Sequence, residues 1–161
     1  MPIEIERKFI AREDELPPPT LSTRLEQGYI DRDRATVRVR VSGDVCYLTI
    51  KGAVSGKSRL EYEYPIPLDE GRELLELLCR RPVIEKTRHL IDHAGHQWEV
   101  DVFDGDNAGL VVAEVELDDE DEVVELPAWV GREVTSDGKY ANAALAKRPY
   151  SKWSEEEKSG A

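Results

Sequence analysis

Alternation with a period of two, carrying charge on one side and apolar residues on the other, is the feature that most constrains this chain. Ile3-Glu4-Ile5-Glu6-Arg7-Lys8-Phe9 puts Glu4, Glu6 and Lys8 on one face and Ile3, Ile5 and Phe9 on the other. Thr36-Val37-Arg38-Val39-Arg40-Val41 repeats the pattern with arginines. Tyr47-Leu48-Thr49-Ile50-Lys51, Arg59-Leu60-Glu61-Tyr62-Glu63-Tyr64, Trp98-Glu99-Val100-Asp101-Val102 and Val112-Ala113-Glu114-Val115-Glu116-Leu117 continue it. Further strands are expected at about 26–31 and 83–91, which makes eight.

Turn chemistry separates the strands. Ser42-Gly43-Asp44 is a short hairpin, and residues 53–58, flanked by Gly52 and holding Gly56, form a looser loop. Residues 92–96 with Gly95, and Gly105-Asp106-Asn107-Ala108-Gly109, join the later pairs. Connections this short make the strands largely antiparallel. Asp69 is a candidate N-cap for a helix over 70–80, with Leu74, Leu75, Leu77 and Leu78 as its core side and Pro82 as its stop. A second short helix is expected over 139–146, and a turn of helix near 22–26. The acidic stretch 118–125 reads as a solvated connection with room for helix.

An ordinary half-buried sheet shows water a mixture of Lys, Glu, Ser, Thr and Gln. Here short polar residues are nearly absent from the polar face. Glu4, Glu6, Glu61, Glu63, Glu99, Asp101, Glu114 and Glu116 supply acids on four strands, and Lys8, Arg38, Arg40, Lys51, Arg59, Lys86 and Arg88 supply bases on five. Eight strands of this kind imply a mainly β fold of the α+β type. It is a closed eight-stranded antiparallel barrel, its charged face lining a lumen and its apolar face packed on a few flanking helices. Crowded like charges need counter-ions. A polyanion neutralises the Arg/Lys set, and hard carboxylate oxygens suit Mg²⁺ or Mn²⁺. The residues therefore point to a phosphate chain with its metal.

Composition narrows the setting. A chain of 161 residues is one domain, read as 1–150 with a polar C-terminal tail at 151–161. Its net charge of −12 argues against bulk binding to nucleic acid or an anionic membrane. The N-terminus is charged from Glu4 onward, no apolar run is long enough to span a bilayer, and two cysteines make no disulfide framework. A cytoplasmic location is the expectation. Two motifs are decoys. Gly52-Ala53-Val54-Ser55-Gly56-Lys57-Ser58 is one residue short of a phosphate-binding loop and runs into a strand where such a loop must open a helix. His89, His93 and His96 straddle a strand end and a turn, which reads as structural.

Glu4-Ile5-Glu6-Arg7-Lys8 resembles the ExExK signature of the CYTH superfamily, the triphosphate tunnel metalloenzymes. The resemblance runs through Gln27-Gly28-Tyr29-Ile30, Val37-Arg38-Val39-Arg40, Leu48-Thr49-Ile50-Lys51, Glu61-Tyr62-Glu63-Tyr64, Glu85-Lys86-Thr87-Arg88, Trp98-Glu99-Val100-Asp101 and Glu114-Val115-Glu116 to Lys139-Tyr140-Ala141-Asn142-Ala143-Ala144-Leu145-Ala146, over about residues 2–150. It implies an eight-stranded tunnel and a divalent metal, Mg²⁺ or Mn²⁺. The implied reaction is hydrolysis of a triphosphate, inorganic tripolyphosphate before others, to diphosphate and phosphate. A class IV adenylyl cyclase, a thiamine or nucleoside triphosphatase and a non-catalytic polyphosphate-binding module are the alternatives.

Carried over motif by motif, Lys8, Arg38, Arg40, Lys51, Arg59, Lys86 and Arg88 grip phosphate oxygens. Glu4, Glu6, Glu114 and Glu116 hold metal, and Glu61, Glu63 and Asp101 serve a second metal or orient water. The resemblance also implies a catalytic pair, Lys8 as general base with Tyr29; Lys8 as a plain phosphate clamp stands beside it. The expected partner is a small-molecule triphosphate, with pairing into a homodimer left open.

Overall fold

The computed structural model describes residues 3–30, 35–53, 55 and 57–160. Their strands are β1 (Ile3–Ala11), β2 (Leu21–Ile30), β3 (Thr36–Ser42), β4 (Val45–Lys51), β5 (Ser58–Ile66), β6 (Ile84–His93), β7 (His96–Phe103), β8 (Val111–Glu116) and β9 (Val130–Glu133). The helices are α1 (Leu68–Leu77), α2 (Asn142–Leu145) and α3 (Glu155–Ser159). Neighbours run β5-β4-β3-β2-β6-β7-β8-β1, and β1 closes back onto β5. Eight antiparallel strands thus form the expected closed barrel.

β1 is the seam. One of its edges follows β8, from Glu6 opposite Glu116 to Ile10 opposite Val112. Its other edge is shared. Ile3 to Ile5 pair with β5, and Phe9 and Ala11 pair with β9. Between those stretches the Glu6 amide donates to the Lys57 carbonyl at 3.2 Å, and the Lys8 amide donates to the Thr135 hydroxyl at 3.0 Å.

Two hairpins have the tight turns foreseen. Gly43 takes φ 60° between β3 and β4, and Ala94 and Gly95 take φ 48° and 84° between β6 and β7. A two-residue hairpin needs such left-handed positions to match the strand twist. Two other glycines serve close packing. A Cβ on Gly71 of α1 would lie 2.1 Å from Cys46 Sγ, and one on Gly28 of β2 would lie 2.7 Å from the Cys79 Cβ. Their absent side chains let α1 lie against the barrel wall.

Three apolar clusters surround the charged lumen. Phe9, Trp98, Val100, Ala113, Val115 and Trp129 cover the outer face of β1, β7 and β8. Val39, Val41, Cys46, Leu75 and Cys79 join α1 to β3 and β4. The third cluster lies across one end of the barrel. Ile84, Phe103 and Val112 share the parity of the charged lumen residues on their strands, yet they pack with Tyr140, Leu145 and Trp153. The lumen therefore changes along its length from a charged chamber to an apolar stopper built from the segment around α2.

Several expectations are corrected. Residues 22–26 are strand, because β2 begins at Leu21 and pairs with β6 from Leu21 opposite Leu90 onward. Asp31, the expected end of that strand, and Val54 and Gly56 of the looser loop lie outside the described residues. Pro67, not Asp69, holds the N-cap position of α1, without a side-chain cap, and the helix stops at Leu77. Leu77 and Leu78 are 72% and 61% exposed, not core, because the buried line of α1 is Gly71, Leu75 and onward to Cys79 at four-residue spacing. Residues 118–125 are turns without helix, and the second helix breaks into a 3-10 turn at Gly138–Tyr140 followed by α2. β9 was not foreseen. After Pro149 the chain buries Trp153, and α3 opens with a Ser154/Glu157 capping box.

Candidate functional site

The charged chamber has a volume of about 280 Å³ and is walled by seven carboxylates and seven cationic side chains. Every sequence-predicted site residue reaches it except Asp101. Glu4, Glu6 and Lys8 come from β1, Tyr29 from β2, Arg38 and Arg40 from β3, and Lys51 from β4. Arg59, Glu61 and Glu63 come from β5, Lys86 and Arg88 from β6, and Glu114 and Glu116 from β8. Parity delivers them together: a one-residue slip would turn each strand's set outward.

The signs are segregated. Arg38, Arg40, Lys86 and Arg88 occupy the β3 and β6 side, whereas Glu4, Glu6, Glu114 and Glu116 occupy β1 and β8. Glu6 stands opposite Glu116, and Glu99 opposite Glu114. Like charges directly opposite one another destabilise a bare sheet. Burial, then Glu114 and Glu4, push the Glu6 carboxyl up to about 9. Glu4 is raised by burial and by Glu61, against the pull of Lys51, whose Nζ lies 3.1 Å from Glu4 Oε1 and 3.2 Å from Glu61 Oε2. Burial also raises Glu116, with Glu4 and Asp118 adding to it. Glu114 moves the other way, because Lys8 and Arg88 outweigh its burial.

Lys8 is held as an ammonium. Burial alone would lower it, but Glu114 and Glu6 outweigh that, and its Nζ lies 3.4 Å from Glu114 Oε1. It also donates to the Tyr140 carbonyl at 3.5 Å. The Tyr29 hydroxyl instead accepts from Gln27 Nε2 at 2.9 Å. The Lys8–Tyr29 pair is therefore not joined by a hydrogen bond, and the raised lysine favours the phosphate-clamp alternative.

Asp101 lies behind the wall. Its oxygens receive Arg88 Nε and Nη2 at 2.8 and 2.9 Å and Lys86 Nζ at 2.8 Å. Burial would raise this carboxyl, yet Arg88 and Lys86 hold it far below its ordinary range. Both oxygens accept from these cations, so Asp101 positions Arg88 and Lys86 on the chamber wall without lining the chamber itself.

Some contributors escaped the sequence reading. Gln27 Oε1 accepts from Arg40 Nε at 2.7 Å, while Asn142 Oδ1 accepts from Gln27 Nε2 at 3.1 Å and Lys86 Nζ at 2.9 Å. This amide chain ties the cations to α2. Thr49 Oγ1 accepts from Arg38 Nη2 at 3.1 Å and donates to Glu63 Oε2 at 3.0 Å. Glu99, placed on the charged face by the sequence but given no role there, lines the chamber and receives Arg88 Nη1 at 2.9 Å. A lumen-parity position was the signal for Gln27, Thr49 and Glu99; Asn142 had none.

One buried donor on a chamber residue, Arg38 Nε, has no hydrogen bond, and Glu61 Oε2 is met only by the Lys51 ammonium at 3.2 Å. Arg40 has no carboxylate partner among the described residues, and burial together with Arg38 and Arg88 lowers its guanidinium to about 10. The chamber thus has unmet capacity for an anion, and its facing carboxylates call for a cation. Among the described residues no three Asp, Glu, His or Cys side chains form a ready metal cage. The donor set fits a hard cation that completes its shell with water and substrate oxygens.

The CYTH domain model matches residues 2–150. An inorganic triphosphatase of Acetivibrio thermocellus is 51% identical over 154 residues, covering 94% of this chain and 98% of that protein. One from Nitrosomonas europaea is 38% identical over 151 residues, covering 89% and 96%. The solved structure of the inorganic triphosphatase NE1496 superposes with a TM-score of 0.66 at 34% identity, covering 89% of this chain and 97% of that one.

Proposed function

This chain belongs to the CYTH domain family, and on that premise we propose that it is a cytoplasmic, divalent-cation-dependent enzyme that hydrolyses inorganic triphosphate to diphosphate and orthophosphate in the barrel chamber. The observation that carries the reading is Arg40. Its guanidinium lies deep in the chamber, flanked by Arg38 and Arg88, and among the described residues it is paired with no carboxylate. Three neighbouring guanidiniums suit an oligoanion whose charges are spaced along a chain. Tyr29 is the one aromatic side chain on the wall among the described residues, and its hydroxyl is engaged by Gln27, so no stacking platform for a base is on offer.

Arg38, Arg40, Lys86 and Arg88 bind and align the phosphate chain, and Lys8 presents its ammonium to phosphoryl oxygens. Water attacks the terminal phosphorus, and the bond to the bridging oxygen breaks. Positioning and charge neutralisation supply the acceleration in such a transfer. Glu4, Glu6, Glu114 and Glu116, with Glu61 and Glu63 nearby, would hold Mg²⁺ or Mn²⁺. When bound, such an ion supplies Lewis-acid stabilisation of charge developing on the phosphoryl oxygens.

The test is a colorimetric phosphate-release assay with tripolyphosphate, ATP and thiamine triphosphate, each with and without metal. Release from tripolyphosphate, favoured over the other two and abolished by chelation, is expected. Tight tripolyphosphate binding with no release in any metal would replace the enzyme with a binding module.

A further inference from the structure

The stopper does not seal the chamber completely. A second cavity of about 400 Å³ shares Glu4, Glu6, Lys8, Arg59 and Ala141 with it. That cavity continues past Lys57 and the 134–138 segment into an open recess of about 900 Å³ beside Arg7 and Arg132. The chamber and the outer recess have no wall residue in common, so the middle cavity links them. Its origin is the seam. β1 leaves β5 after Ile5 and meets β9 only at Phe9; the gap is bridged by the Glu6 amide on the Lys57 carbonyl and by Lys8, whose amide donates to the Thr135 hydroxyl and whose carbonyl accepts from the Val134 amide at 2.8 Å.

Two cations mark the route. Arg59 borders both the chamber and the middle cavity; Lys57 borders the middle cavity and the recess. Among the described residues neither is paired with a carboxylate. Arg59 donates to the Gly52 carbonyl at 3.1 Å and the Thr36 hydroxyl at 3.5 Å, and Lys57 donates to the Glu120 carbonyl. Carboxylates of Glu4, Glu6 and Asp137 also face the passage, Asp137 being held by Lys139 at 2.8 Å. Mixed walls of this kind suit transit of an anion better than its retention.

We propose that this passage is a second, lateral exit through which orthophosphate leaves, with Arg59 and Lys57 as successive binding points. The proposal rests on the hydrolysis reading above. It carries the small product away while diphosphate is still held by the chamber's arginines.

Single-turnover experiments on the full chain test it. Chemistry is followed by acid quench, and free orthophosphate by a fluorescent phosphate-binding reporter. Ser136→Trp fills the passage from an exposed position, and Lys57→Glu reverses its outer charge; neither residue lines the chamber. In wild type the two signals coincide. In either variant release should lag chemistry by about five-fold or more, so that product release limits turnover. Coincident signals in both variants would overturn the exit while leaving hydrolysis intact. No cleavage by wild type in the quench would remove the hydrolysis reading and the exit with it.

Discussion

Arg88 meets Asp101 edge to edge, Nε to Oδ1 at 2.8 Å and Nη2 to Oδ2 at 2.9 Å, while Lys86 takes Oδ2 from another side. One buried carboxylate thus sets the position of two cations on the chamber wall. It is the anchor from which the cationic half of the site is built.

Asp101→Asn should accordingly lose about 3–5 kcal/mol of stability at neutral pH, because two buried cations lose their partner. The folded-state pKa of Asp101 lies below its ordinary 3.8. Its stabilisation is therefore complete above that value and fades as pH falls toward the folded pKa. Urea unfolding at pH 7, 4 and 3 should show a shallower acid decline for the variant than for wild type. Parallel declines would mean that Asp101 is not the group responsible.

Arg40→Ala should lower kcat/KM for tripolyphosphate by roughly 10–100-fold, the range set by losing a charge-assisted hydrogen bond of about 1.5–3 kcal/mol. His93→Ala, outside the chamber, should stay within about two-fold of wild type, as remote surface changes do. Steady-state kinetics on both proteins decides; an Arg40→Ala enzyme as good as wild type ends the clamp assignment.

Glu116→Gln keeps the shape of a residue facing Glu6 but removes one negative charge. It should lose most hydrolysis at low metal and recover partly at high metal. Tripolyphosphate should still bind through the Arg/Lys set. Calorimetric binding and phosphate release across a metal titration measure the two separately. Normal hydrolysis at every metal concentration would place the cation elsewhere.

Gly71→Ala gains helix propensity yet drives a Cβ to 2.1 Å from Cys46 Sγ. Overpacking should prevail, with a net loss of about 1–3 kcal/mol by chemical denaturation. Adding Cys46→Ala should return part of it. A Gly71→Ala protein more stable than wild type would show that α1 shifts without resistance.

The charged wall was legible because parity is a local property of each strand, and Glu4, Arg38, Glu61 and Glu114 all declare it within six residues. Depth along the barrel was not legible. Ile10, Ile84, Phe103 and Val112 carry lumen parity as well, and nothing local tells a stopper residue from a chamber residue. Gln27 and Asn142 looked like ordinary polar residues, since an uncharged amide gains meaning only from the cations brought to it. β9, with four residues and one glycine, has too little alternation to detect. Leu77 and Leu78 misled because an apolar residue on a short helix is informative only once its buried line is known.

The division of β1 between β5, β8 and β9 also bears on the order in which the molecule is completed. Glu4, Glu6 and Lys8 emerge during synthesis ahead of every other barrel strand, and their partners on β8 lie more than a hundred positions later. Contacts so distant in sequence form late, after the loops between them have been closed. The nascent chain must therefore carry the β8-facing edge of β1, rich in carboxylates, unpaired until the eighth strand arrives. Its charge keeps that waiting edge from joining another chain, as charged residues do on exposed strand edges elsewhere. The same carboxylates that crowd the finished chamber thus protect the unfinished one.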